Sequence, residues 1–156
     1  MAAEVGDKGA TALTTDRPLF VFDGHCVLCS TGVAFIMSHD RRSRIRFLSA
    51  QTPLGEQIYR RLNKPLDDSY IFIDPNGVHM KTDGWFRVAS AMGGLWNLLA
   101  VFRLIPRPLR DWAYDILARN RYRWFGTSDQ CAILSSEQRS RLVETDDHLS
   151  RQLEKK

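Results

Sequence analysis

Leu19-Phe20-Val21-Phe22-Asp23-Gly24-His25-Cys26-Val27-Leu28-Cys29 is the stretch on which the fold of this chain turns. Its first four residues are apolar without alternation, as suits a central strand covered on both faces. Asp23-Gly24 ends that run as a turn. The segment from Ser30 to Met37 has no proline, and Cys29, Val33, Ile36 and Met37 recur at i, i+4, i+7 and i+8, one buried stripe of a helix. Cys26 therefore lands in the first turn, where backbone N–H groups lack intrahelical partners and the positive end of the helix dipole favours a thiolate.

Residues three apart on a helix lie about 5–6 Å from one another, so Cys26 and Cys29 are within disulfide reach. The spacing predicts an exposed attacking thiol at Cys26 and a sheltered resolving thiol at Cys29, which shares the core-facing stripe. A thiol of pKa about 8.5 is only a few per cent thiolate at neutral pH, and a pKa of about 7 makes it roughly half thiolate. The gain is partly offset because a less basic thiolate attacks more weakly. Asp23 has two readings: a turn or cap residue, or the group that takes the Cys29 proton when a mixed disulfide is resolved. Its charge would raise a nearby thiol pKa. His25 reads as a loop residue that would help the thiolate only when protonated.

Working outward, Ile45 to Leu48 is a second short strand, and the helix from Cys26 to Asp40 has the length of a crossover between parallel strands. Thr52 to Leu62 reads as a helix with Pro53 in its first turn and Leu54, Ile58 and Leu62 on one face. Tyr70 to Ile73 is a third strand, Asp74-Pro75-Asn76-Gly77 a type I turn, and Val78 to Thr82 an antiparallel return. Trp85 to Met92 opens a further helix. The order β-α-β-α-β-β-α is that of a thioredoxin-like α/β core with additional C-terminal helices.

After Gly93-Gly94 comes the apolar run Leu95 to Phe102, read as a buried helix, with a peripheral membrane contact as the other reading. It is too short to span a bilayer, which takes about 20 apolar residues. Leu109, Trp112, Ala113, Ile116 and Leu117 form an amphipathic stripe in the segment from Leu109 to Phe125, with Gly126 as its stop. Trp85, Phe86, Trp96, Trp112 and Trp124 read as core or helix-packing residues. Cys131 falls in a loop, as a buried apolar thiol or a third member of a relay. Residues 1–18 read as a disordered leader, 19–134 as the domain and 135–156 as a charged helical tail.

Composition narrows the classes. Of 156 residues 44% are hydrophobic and 26% charged, which suits one soluble domain. Three cysteines are too few for a disulfide scaffold, and their odd number argues against a fully paired secreted protein and for the cytoplasm. The leader has acids and no apolar core, unlike a targeting signal. A net charge of +4 is too slight to assign a nucleic-acid partner. No glycine-rich phosphate loop or paired catalytic carboxylates occur, and no cofactor is called for.

Asp23-Gly24-His25-Cys26-Val27-Leu28-Cys29 resembles the Asp-x-x-Cys-x-x-Cys signature of the DCC family of thiol-disulfide oxidoreductases. Ile105-Pro106-Arg107-Pro108-Leu109-Arg110-Asp111 is similar to that family's proline-arginine segment, as is Asn120-Arg121-Tyr122-Arg123-Trp124-Phe125-Gly126 with Cys131 a few positions later. The resemblance runs from about Leu19 to Leu134. It implies a thioredoxin-like fold, a redox pair at Cys26 and Cys29, the signature aspartate at Asp23, and a protein or small-molecule disulfide or dithiol as partner with an electron donor of its own. Thioredoxins usually carry a cis-proline before the third strand, whereas Ser69 precedes Tyr70 here. The Val27-Leu28 spacer also lacks their proline or histidine, which points to a reducing couple.

Two other classes compete. Cys26, Cys29 and Cys131 with one of His25, His39 or His79 would make four zinc ligands, although a structural zinc site normally shows a second close pair. An interaction module would use the arginine clusters Arg41, Arg42, Arg44, Arg46 and Arg119, Arg121, Arg123, whose simplest reading is a solvated face. Arg121 or Arg123 would instead support the thiolate if the late helix folds back over the cysteines.

Overall fold

The structure, a computed structural model, describes residues 15–65, 70–127, 135–140 and 142. Four strands form one sheet: β1 (Leu19–Phe22), β2 (Arg46–Ser49), β3 (Ile71–Asp74) and β4 (Gly77–Met80), in the order β2-β1-β3-β4. β1 and β2 run parallel with Phe22 opposite Ser49, whereas β3 pairs antiparallel with both β1 and β4. The helices are α1 (Val27–His39), α2 (Pro53–Arg61), α3 (Lys81–Met92), α4 (Arg107–Phe125) and α5 (Ser136–Ser140), and a 3-10 segment at Gly94–Leu104 joins α3 to α4. This is the expected thioredoxin-like α/β arrangement, with boundaries moved by one or a few residues.

The unbroken apolar run of β1 follows from its central place, because successive side chains enter different halves of the core. Leu19 and Val21 meet Leu48, Ile71 and Ile73 and are covered by Leu54, Ile58 and Tyr59 of α2. Phe20 and Phe22 meet Phe47 and Phe72 and are covered by Val33, Ile36 and Met37 of α1 and Val88 of α3. Local signals mark where α2 begins and where α1 ends. Thr52 caps α2 by accepting from Gly55 N–H, with Pro53 at the first position. Asp40 closes α1 and turns the chain into β2, accepting from Arg44 N–H at 3.2 Å and Ile45 N–H at 3.0 Å. Ahead of β1, Thr15 is buried and its hydroxyl donates to Ile73 O at 3.3 Å.

The second half of the chain departs from expectation. The run Leu95 to Phe102 is not a buried helix: it lies in the 3-10 segment, none of whose residues is buried. Gly93 and Gly94 both take positive φ there, and helical hydrogen bonding is not carried across them. α4 does have the expected stripe, yet Leu109, Trp112, Ala113 and Leu117 are exposed and Ile116 is only half-buried. Several of its polar side chains face the domain instead, beside Tyr114, which packs against the core. Asp111 accepts from Thr82 Oγ1 at 2.6 Å, Asp115 pairs with Lys81 at 2.9 Å, and Arg121 is buried. Of the aromatic residues expected in the core, Phe86 is buried and Trp96 half-buried, but Trp85, Trp112 and Trp124 are exposed. Cys131 and most of the tail lie outside the described residues, as does most of the leader.

Gly55 marks a contact that admits no side chain. A Cβ there would meet the Ser49 carbonyl oxygen and stand 2.8 Å from Ala50 Cα and 2.9 Å from Ala50 O, all backbone. Gly55→Ala therefore pushes α2 off the end of β2 and is expected to lower stability by about 3 kcal/mol, with an unchanged urea m-value.

Candidate functional site

The site forms where β1 ends and α1 begins. Cys26 is the N-cap of α1, with extended backbone (φ −81°, ψ 120°), and its Sγ accepts the Cys29 N–H at 3.3 Å. The Cys29 S–H donates to the same sulfur. Both cysteines are free thiols. Their exposure reverses the expected order: Cys26 is completely buried and Cys29 only half-buried. The cause is the end of α4. Gly126 takes φ 80°, a left-handed conformation open to glycine, and turns the chain back across the thiol. Thr127 then makes an antiparallel bridge to Cys26, and Gly126 O accepts the Val27 N–H at 3.4 Å. Nothing in the local Cys-x-x-Cys sequence encodes that cover.

Asp23 is buried beside the pair and accepts from four donors. His25 N–H reaches Oδ1 at 3.0 Å and Gln51 Nε2 reaches it at 2.8 Å. Tyr122 OH donates to Oδ2, and Arg121 approaches that oxygen at 3.5 Å. Both Asp23 and Arg121 side chains are nearly inaccessible, at 5% and 4% exposure. The turn reading of Asp23 is thus present in the His25 bond, and a second task is added: it fastens α4 to the sheet. Arg121 leaves the solvated-face reading and joins the site, as the alternative reading of the late helix required.

Gln51 and Tyr122 were missed. Gln51 Oε1 accepts from Gly24 N–H at 2.9 Å and from Ser49 Oγ at 2.8 Å, so Gln51 ties the end of β2 to the Asp23-Gly24 turn. A signal existed: parallel strands in register put the residues after Leu48 beside those after Val21. Tyr122 had no signal of local spacing, its partner lying 99 positions away, and its pointer was the family-like segment Asn120 to Gly126 that contains it.

The two thiols are driven apart in acidity. Cys26 is lowered from 9.0 to about 6, chiefly by the hydrogen bond from the Cys29 side chain, while burial opposes this. The Cys29 N–H and the Arg121 charge lower it further, and Asp23 raises it. Cys29 is pushed far up by donating to Cys26, then by burial and by the Cys26 charge. Arg121 thus offsets the carboxylate that would otherwise disfavour the thiolate. Among the described residues no group of three or more His, Cys, Asp or Glu side chains could hold a metal. His39 closes the 13-residue α1 at its other end, about 20 Å from Cys26, and cannot share an ion with it. His79 sits 3.1 Å from Asp74 and His25 is exposed. Cys131 lies outside the described residues.

Two outcomes follow from these charges. Arg121→Gln leaves Asp23 buried without its cation, so stability is expected to fall by about 3–5 kcal/mol in urea unfolding. In the same variant the Cys26 pKa, read from alkylation rate against pH, is expected to rise, and in Asp23→Asn to fall. The second outcome concerns pH. The folded Cys26 pKa lies below 9.0, so between about pH 6 and 9 the unfolded chain binds more protons and stability rises with pH. That contribution is complete above pH 9 and lost as pH falls through about 6; Cys29, shifted upward, acts only above this window. Urea midpoints of the reduced protein should therefore climb from pH 6 to pH 9, and the slope should flatten in Cys26→Ser, which keeps a capping side chain.

Comparison with known proteins agrees with the geometry. No solved structure gives a significant match. The chain is 34% identical over 127 residues to "Uncharacterized protein YuxK" of Bacillus subtilis (strain 168), covering 80% of this chain and 93% of that protein. It is 33% identical over 120 residues to "DCC family protein At1g52590, chloroplastic" of Arabidopsis thaliana, covering 75% of this chain and 70% of that one. The family model described as DCC1-like thiol-disulfide oxidoreductase matches residues 20–127, a span that begins in β1 and ends at the residue bridging Cys26. With the Cys26–Cys29 pair, its signature aspartate and the returning helix all inside that match, the chain belongs to the DCC1-like thiol-disulfide oxidoreductase family.

Proposed function

We propose that the protein exchanges dithiol and disulfide through Cys26 and Cys29. The observation that carries this reading is the seating of one free thiol as the N-cap of α1, its Sγ accepting the Cys29 N–H at 3.3 Å, with the second free thiol three residues on. The Cys26 thiolate attacks a substrate disulfide, one substrate sulfur leaves as a thiolate and takes a proton, and a mixed disulfide forms. That step removes the Cys26 charge, which was among the causes holding the Cys29 proton. Cys29 then deprotonates and attacks Cys26 Sγ. The second substrate thiol leaves, and the Cys26–Cys29 bond stores the oxidation. A dithiol donor returns the pair to the reduced form by the reverse sequence.

Asp23 is the proposed acceptor of the Cys29 proton, in addition to its structural bonds. The substrate must displace Thr127 from Cys26, a single bridge, and an extended segment bearing a disulfide is the shape that replaces it. Stabilising the Cys26 thiolate also stabilises the reduced pair, which moves the couple toward the oxidising side of the expectation from the spacer alone. A thiol-containing compartment supplies the donor; the cytoplasm is one, and the plant relative is named as chloroplastic. No helix of the described residues is long and apolar enough to cross a membrane.

The test is trapping. Cys29→Ser, expressed in cells, is expected to retain partner proteins or small thiols on Cys26 that mass spectrometry identifies and dithiothreitol releases. Cys26→Ser should retain none. An empty Cys29→Ser protein, together with a Cys26 that alkylates no faster than free cysteine, would refute turnover. Asp23→Asn is expected to slow resolution of a preformed mixed disulfide by roughly tenfold or more while leaving the first attack no slower.

A further inference from the structure

The segment that resisted burial has a regular surface. In a 3-10 helix residues three apart eclipse, so Leu95, Leu98, Val101 and Leu104 form one row. They are 83%, 70%, 59% and 84% exposed, along about 18 Å. α4 adds Leu109, Trp112, Leu117, Trp124 and Phe125 to the exposed apolar side chains. Apart from Phe35 and Trp85, every exposed large apolar side chain of the described residues lies between Leu95 and Phe125. Exposed apolar surface concentrated in one stretch of chain marks an interaction surface.

Charge says what it meets. The acids of residues 94–127 are Asp111 and Asp115, and both turn inward onto Thr82 and Lys81. Arg103, Arg119 and Arg123 remain exposed, and Arg107, also exposed, pairs with Asp83 at 3.0 Å. Beside the row opens a groove of about 730 Å³, with Arg41, Arg42 and Arg44 among its walls and Trp96 and Leu99 on the apolar side. Trp96 is held edge-on to Phe35 and His39, at 5.4 and 5.3 Å between ring centroids, which fixes the groove against α1. Leucines and tryptophans at the level of a cationic rim are the composition of a protein face seated in a bilayer interface. A second copy would bring no acidic surface from this stretch to the arginines, since Asp111 and Asp115 are both engaged within the domain. A nucleic acid would leave the leucine row in water.

We propose that this face docks peripherally on an anionic phospholipid bilayer. The leucine row and α4 tryptophans enter the headgroup–acyl boundary, while Arg41, Arg42 and Arg44 receive lipid phosphates. Docking through this surface does not depend on the chemistry of the Cys26–Cys29 pair.

The full chain is tested by co-sedimentation with phosphatidylcholine vesicles, with and without phosphatidylglycerol. Binding is expected to be roughly tenfold or more stronger to the anionic vesicles and to weaken with salt. The double variant Leu98→Asp, Leu104→Asp should lose it with an unchanged circular dichroism spectrum, because both side chains project into solvent. Replacing Arg41, Arg42 and Arg44 by Gln should abolish the preference for phosphatidylglycerol. Cys26→Ser should bind like the parent, which separates this result from the redox reading. Absence of binding at low salt, or binding indifferent to the Asp substitutions, overturns the proposal. So does self-association on a sizing column that those substitutions dissolve, which would make a second copy the occupant.

Discussion

A carboxylate and a guanidinium from opposite ends of the domain meet inside it: Asp23, at the close of β1, and Arg121, near the end of α4. Isolated in the interior, either charge would cost several kcal/mol, and their pairing alone returns only part of that. The remainder is met by Gln51, Tyr122 and the His25 amide, which fill the carboxylate's other sites. The pair contributes modestly to net stability but decides where α4 lies. Tyr114 packs against the core beside Tyr70, but the apolar stripe of α4 faces outward, and ionic and hydrogen-bonded contacts hold the rest of its inner face. The bridge over Cys26 and the exposed apolar face follow from that placement.

The same arrangement explains how a thiolate is kept in a buried site. Removal from water raises a thiol pKa, and an adjacent carboxylate raises it again. The first-turn amide, the Cys29 S–H and Arg121 oppose both. The helix start supplies direction, the partner thiol supplies the largest share, and the distant arginine cancels the aspartate. Each of these depends on a different range of sequence separation, from three residues to 98.

Legibility followed that range. The β-α-β-α-β-β-α order could be read because its signals are local: an unbroken apolar run at Leu19 to Phe22, a helical stripe through Val33, Ile36 and Met37, and a proline turn before Gly77. Cys26, Cys29 and Asp23 could be read because they sit within seven positions of one another. The exposure of Cys26 was misjudged because its cover, Thr127, comes from another part of the chain. The stripe of α4 was visible but its direction was not. Periodicity shows that a helix has two faces, and tertiary charge pairing chose which one turned inward. Leu95 to Phe102 carried an apolar composition without the helical period that would have distinguished an outward row from a core element.

Thr127 and Arg121 share the same stretch of chain, separated by about one helical turn and the bend at Gly126. Peeling that stretch away to admit a reagent loosens a guanidinium that adds to the Cys29 contacts in keeping the sulfur acidic. Accessibility and ionisation are therefore yoked in opposition: the anion is best sustained when shielded, and a visitor that pries the flap too far meets a blunter reagent.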